Sequence, residues 1–197
     1  MAYNTFTLEL VKSQFSLTII NKRFCNSLPI VEPQPEFAIV FNDLLELAEG
    51  ARTEKAKSEL LVTPILAQAT KLSGGKVKLF SGEEFNVDHE QGLNGFCDFL
   101  FSRSANPYTI DAPVFMLVEA KRGEIEFGLG QCVAEMIAAQ LYNKSQGQII
   151  PIIYGCVTSG RLWQFLKLEG DNVTIDPDNY PLMPIHKILG ILKWILS

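Results

Sequence analysis

The stretch Val114–Lys121, reading Val-Phe-Met-Leu-Val-Glu-Ala-Lys, constrains the fold more than any other part of this chain. Side chains alternate across a strand, so Val114, Met116 and Val118 share one face and Phe115 and Leu117 take the other. A strand that is apolar on both faces belongs inside a sheet covered by helices on both sides. The run ends in charge: Glu119 and Lys121 share a face, with Ala120 opposite. A carboxylate and an ammonium at the end of a buried strand need partners or a chemical task.

The rest of the chain reads as one α/β domain over residues 1–197. Its composition is globular, with 47% hydrophobic and 20% charged residues, and its length is enough for a sizeable core. Residues 3–20 alternate loosely (Phe6, Leu8, Leu10, then Phe15, Leu17, Ile19), which predicts one or two N-terminal strands. Phe37–Ala48 has apolar residues at helical spacing. Thr53–Leu72 does too, with Pro64 in its middle; either the helix kinks there or a second helix starts at Thr63. Val77–Phe80 and Glu84–Val87 read as a hairpin around Ser81-Gly82. Gly95–Phe101 is a second buried strand, interrupted by one charge, Asp98. After a connection over 102–113, with room for a short strand at Tyr108–Ile110, comes the central strand. Leu129–Tyr142 is helical, with Gln131, Glu135, Ala138 and Tyr142 forming a stripe of their own, read as solvated for Glu135 and Tyr142. A strand over 149–157, a meander to Ile175 and an apolar last helix from Pro184 to Leu196 complete the chain.

Several function classes fall away. A net charge of −5 argues against a broad basic coat for nucleic acid, while leaving room for a local groove. No apolar run reaches the ~18 residues of a membrane helix. The first residues lack the basic and apolar regions of a secretion signal, so a cytoplasmic location and no membrane partner are expected. Cys25, Cys97, Cys132 and Cys156 are widely spaced and lie near apolar residues, which predicts buried thiols rather than a zinc site or disulfides. Only His89 and His186 are available to a Ser-His-Asp triad, and neither has a suggestive setting.

What remains is Asp98 on one strand, Glu119 and Lys121 on the next, and Gln131 at the start of the following helix. If the strands pair, Asp98 and Glu119 come within reach of one cation. Mg²⁺ takes oxygen ligands, usually one or two carboxylates with water and phosphate, and acidifies a bound water. Lys121 can orient or deprotonate that water, or stabilise the developing negative charge. A backbone carbonyl at Arg122 or beside it can complete the shell.

Asp98 followed about twenty residues later by Glu119-Ala120-Lys121 resembles the PD-(D/E)XK nuclease superfamily. The resemblance spans roughly Thr53 to Val157. It implies the restriction-endonuclease-like αβββαβ core, a central mixed sheet flanked by helices, here extended by the N-terminal strands and the C-terminal meander and helix. Glu59 stands where the family carries its first-helix acid, and Gln131 where some members carry a glutamine. Small uncharacterised members of the superfamily are similar over 94–131. Cys97 departs from the proline common before the aspartate. The resemblance implies catalytic roles for Asp98, Glu119, Lys121, Glu59 and Gln131, with Asp98, Glu119 and Glu59 toward Mg²⁺ or, in its place, Mn²⁺. It further implies a nucleic-acid substrate, DNA ahead of RNA.

Blander readings stand beside these. Glu119 and Lys121 also suit an ion pair at a strand end, Asp98 a buried acid paired with Lys121, Glu59 a solvated helix face and Gln131 an ordinary first-turn residue. A non-catalytic nucleic-acid-binding or assembly protein on the same fold is the alternative function. The last helix, apolar nearly all round with Ile191, Trp194 and Ile195, also suits a homodimer face.

Overall fold

The computed structural model describes residues 2–104 and 106–197; Met1 and Ala105, the latter inside the 102–113 connection, lie outside the described residues. Among the described residues eight strands form one mixed sheet: β1 (Thr18–Asn21), β2 (Lys78–Glu84), β3 (Phe96–Ser102), β4 (Val114–Ala120), β5 (Ile153–Thr158), β6 (Leu162–Glu169), β7 (Asn172–Ile175) and the short β8 (Tyr180–Pro181). The order is β1-β7-β6-β5-β4-β3-β2, with β8 on β6. β2, β3 and β4 run as an antiparallel meander. β4 and β5 are parallel, so the chain crosses over between them through a helix.

Six α-helices cover the sheet among the described residues: α1 (Leu8–Gln14), α2 (Pro35–Leu47), α3 (Glu54–Lys57), α4 (Thr63–Leu72), α5 (Leu129–Ser145) and α6 (His186–Leu196). The apolar residues divide into two cores. One joins α2, α4 and α6 to Phe99, Phe101, Met116 and Val118. The other joins α1 and α5 to Leu100, Leu117, Val157 and Leu166. All seven residues of β4 are buried, as a strand apolar on both faces requires.

Three local expectations are corrected. The alternation at residues 3–20 makes a helix before it makes a strand. Thr7 caps α1, its hydroxyl accepting from the Leu10 amide at 3.2 Å, and a residue that satisfies an orphan amide starts a helix whatever the apolar period beyond it. Only β1 is a strand there, pairing with β7. Second, Ser81-Gly82 is not a hairpin turn. β2 runs straight through it, paired on either side as Ser81 with Phe99 and Glu83 with Cys97; Gly82 takes φ +66°, which a residue without Cβ accepts at no cost. The turn comes later, closed by the Asp88–Leu93 bridge. No strand forms at Tyr108–Ile110.

Pro64 does not break its helix. A π-helical segment, Ser58–Val62, joins α3 to α4, with the Thr63 amide and hydroxyl both donating to the Ser58 carbonyl. The wider turn absorbs the hydrogen bond a proline cannot make. In α6, Ile191 and Ile195 are buried, not exposed; of the three residues named for a dimer face only Trp194 shows, and it packs edge-on against Tyr154. All four cysteines are free and buried. Among the described residues, no helix is long and apolar enough to cross a membrane.

Candidate functional site

The site forms where β3 and β4 stop pairing. Their ladder ends at Phe99–Val118. Beyond it the Ala120 amide donates to Asp98 Oδ2 at 2.8 Å, so a side-chain carboxylate takes the place of the next backbone acceptor. On its other edge β4 stays paired: Glu119 lies opposite Val157, and the Lys121 amide donates to the Thr158 carbonyl. The strand end is held from one side and opened on the other.

Four side chains lock together there. Lys121 Nζ lies 2.5 Å from Glu119 Oε1 and donates to Gln131 Oε1 at 2.9 Å. Gln131 Nε2 donates to Glu119 Oε2 at 2.9 Å and to Glu135 Oε1 at 3.1 Å. The period-2 reading of Glu119 and Lys121 and the placement of Gln131 are therefore met in space. Gly128, just before α5, makes room for the lysine stem. A Cβ there would lie 2.6 Å from Val157 Cγ1 and 3.1 Å from Lys121 Cγ. Gly130 serves the next layer: its Cβ would lie 2.4 Å from the Phe6 carbonyl oxygen, so the N-terminal segment lies directly on α5.

That contact overturns the solvated stripe. α5 meets the sheet on one side and α1 with its leading residues on the other, so Glu135 is wholly buried and Ala138 with it. Tyr142 is half-buried and donates to the Ile110 carbonyl. Glu135 Oε2 is buried and has no hydrogen-bond partner. Its carboxyl is close enough to bond that of Glu119 once one of them holds a proton. Burial, then the charge of Glu119, raises the Glu135 pKa well above the usual carboxylate range.

The first-helix acid is also revised. Glu59 is largely exposed and pairs with Lys55 at 3.3 Å. It lines the cleft beside Asp98 but bonds nothing at the strand end. Glu54, five residues earlier, does: its Oε2 accepts from the Arg122 amide at 2.8 Å, and its charge raises the pKa of both Asp98 and Lys121. Sequence reasoning passed over Glu54 because the first turn of a helix attracts acids for its dipole alone. The Arg122 carbonyl, expected as a further ligand, accepts from Lys57 Nζ at 2.9 Å.

Two cavities meet at this point. One, of about 370 Å³, is lined by Tyr3, Phe96, Asp98, Glu119, Lys121 and Gln131 among others. The second, of about 330 Å³, is lined by Ser58, Glu59, Thr63, Gly82, Asp98 and Ala120. Asp98 and Glu54 border both.

The electrostatics are those of acids with too little counter-charge. Burial, then Asp98, pushes the Glu119 pKa up to about 7 against the pull of Lys121. Burial raises Asp98 despite its bond from Ala120 and the nearby Lys121. Burial pulls Lys121 down, but Glu119, Glu54 and Asp98 outweigh it and hold the ammonium above the usual lysine range. A small hard cation suits such a place. Among the described residues no group of three or more His, Cys, Asp or Glu side chains is arranged to hold a metal, but Mg²⁺ needs only one or two carboxylates, with water and phosphate for the rest. Asp98 Oδ1 accepts no hydrogen bond among the described residues, and each Glu119 oxygen keeps a second lone pair. The donor set fits Mg²⁺ or Mn²⁺ at Asp98 and Glu119, and does not draw in Glu59.

No family model, no curated protein and no solved structure matches the chain.

Proposed function

We propose that this protein is a metal-dependent nuclease of the PD-(D/E)XK kind, hydrolysing phosphodiesters in DNA ahead of RNA. The observation that carries the reading is one arrangement: Asp98 and Glu119 at the opened end of adjacent strands, beside an ammonium clamped by Glu119 and Gln131. The order helix, three-strand meander, crossover helix, parallel strand supports a restriction-endonuclease-like core.

In this reading Asp98 and Glu119 hold Mg²⁺, which when bound supplies an acidified water and neutralises charge on the phosphoryl group. Lys121 stays charged, so its task is to stabilise the negative charge that develops on the phosphoryl oxygens and not to take a proton. Gln131 fixes where that ammonium points, because its amide oxygen is turned to Lys121 by the two acids its nitrogen serves.

The test is cleavage of linear, nicked, branched and single-stranded DNA and of RNA in Mg²⁺ and in Mn²⁺, with Lys121→Ala as the comparison. Loss of one charge-stabilising donor costs about 100-fold or more in rate. Equal cleavage by the two proteins would remove Lys121 from the mechanism. One observation favours the non-catalytic alternative: both oxygens of Glu119 already have protein partners. That reading gains if nucleic-acid affinity is indifferent to divalent ions and to Asp98→Ala.

A further inference from the structure

The cavity that holds the site has one wall unlike the others. Phe96 lines it together with Asp98, Glu119, Lys121 and Gln131, and Phe96 is 65% exposed. It stands two residues before Asp98 on β3, so the two follow each other along the strand about 7 Å apart. Across from Asp98 on β2 is Gly82, flanked by the pairs Ser81–Phe99 and Glu83–Cys97. A Cβ at Gly82 would meet nothing within 4 Å, so the strand beside Asp98 is open on that side, where the second cavity lies.

A single large aromatic on a surface is ordinary. This one is set in the wall of a cavity whose polar lining is Asn4, Glu54, Asp98, Glu119, Lys121 and Gln131; the other aromatic there, Tyr3, is buried with its hydroxyl bonded to the Phe85 carbonyl, so Phe96 is the aromatic whose face is open. The charge of the molecule decides what the ring serves. Duplexes are held mainly by Lys and Arg neutralising a dense row of phosphates. This chain carries a net −5, and three acids border the cavity against one lysine. Stacking of a base on an aromatic face owes nothing to net charge and works for every base. It requires a base whose face is free. Each cavity, near 350 Å³, has the scale of a small-ligand pocket, not of a groove along a duplex.

We infer that Phe96 is a stacking platform for the nucleobase next to the scissile phosphate, and that the substrate class of the site is unpaired nucleic acid: single strands, flaps or frayed ends. This rests on the nuclease reading for the position of the phosphate, but binding and cleavage test the two separately. Phe127 provides a control. It is more exposed, at 78%, and lines a different cavity with Leu8, Glu9 and Glu126.

The experiment measures binding of fluorescent oligonucleotides by anisotropy, in EDTA to prevent cleavage and again in Ca²⁺. The ligands are a short oligo-dT, an abasic strand of equal length that keeps the phosphates, an RNA strand and a blunt duplex. Phe96→Ala should weaken oligo-dT binding roughly 5- to 150-fold, the range of one lost base stack. Phe96→Trp should retain affinity and show indole quenching on binding, and Phe127→Ala should match wild type. The abasic strand and the duplex should bind wild type as weakly as oligo-dT binds Phe96→Ala. Equal affinity for duplex and single strand, or an unchanged Phe96→Ala, overturns the inference, as does absence of binding to every ligand under both conditions. Cleavage in Mg²⁺ that is insensitive to Phe96→Ala overturns the inference and leaves the nuclease reading standing. Stacking without cleavage in Mg²⁺ or Mn²⁺ overturns the nuclease reading and leaves Phe96 as a base-stacking platform of a single-strand-binding site. The RNA arm decides which sugar the single strand carries.

Discussion

Folding stability should fall as pH rises through neutrality, and Glu119→Gln should flatten that fall. Glu119 titrates near 4.5 in the unfolded chain and about 7 in the folded protein, because burial and Asp98 oppose its ionisation. Between those values the folded state holds a proton that the unfolded chain has released. Such a group stabilises the fold fully below pH 4.5, and the contribution is lost as pH rises through 7. Each pH unit of that interval is worth about 1.4 kcal/mol, which bounds the effect at about 3.5 kcal/mol; sharing of protons with Glu135 lowers the share of Glu119 itself, and about 1–3 kcal/mol is expected. Asp98 and Glu135 are raised as well and act with the same sign. The assay is urea unfolding at pH 5.5, 6.5, 7.5 and 8.5, in EDTA and in Mg²⁺. Most other carboxylates have finished titrating by pH 5.5, so the difference between wild type and Glu119→Gln isolates this site. Mg²⁺ bound to the ionised acids should restore stability to wild type at high pH and do less for the variant. Identical pH slopes for wild type and Glu119→Gln in EDTA would refute the reasoning.

Further expectations follow from single contacts. Gly128→Ala should cost about 1–3 kcal/mol in urea unfolding, since its methyl meets Val157 at 2.6 Å in a filled core, and should slow any cleavage by shifting Lys121; an unchanged midpoint would show that the contact relaxes freely. Glu135→Gln should change stability by less than about 1 kcal/mol at neutral pH, because burial and the charge of Glu119 favour the neutral form of the native group, whereas Glu135→Ala should cost about 2 kcal/mol or more through the cavity and the lost acceptor for Gln131; calorimetry of the pair distinguishes a buried neutral acid from a buried charge. Glu54→Ala should cost about 1 kcal/mol through the lost hydrogen bond from the Arg122 amide, while Glu59→Ala should stay within about 0.5 kcal/mol; the opposite order would return the first-helix role to Glu59.

The chain by itself determined the parts of this protein that depend on local period. β4 is legible because five apolar residues in a row, Val114–Val118, leave no solvated face, and Glu119 and Lys121 share a side because strands alternate. The crossover helix and the meander around it follow from apolar spacing and turn residues. Asp98 stands out as the lone charge in an apolar run. Tertiary structure decided what depends on which surface a second element covers. Glu135 lies on a stripe that the helical period assigns to water, and it is buried because the N-terminal segment lies against Gly130, more than a hundred residues away in sequence. Glu54 and Glu59 are both acids on one helical stretch, and only the approach of Arg122 selects the first. Gly82 reads as a turn until β3 pairs on both sides of it. In each case the deciding energy is a long-range desolvation or a long-range hydrogen bond, which a local window of sequence does not contain.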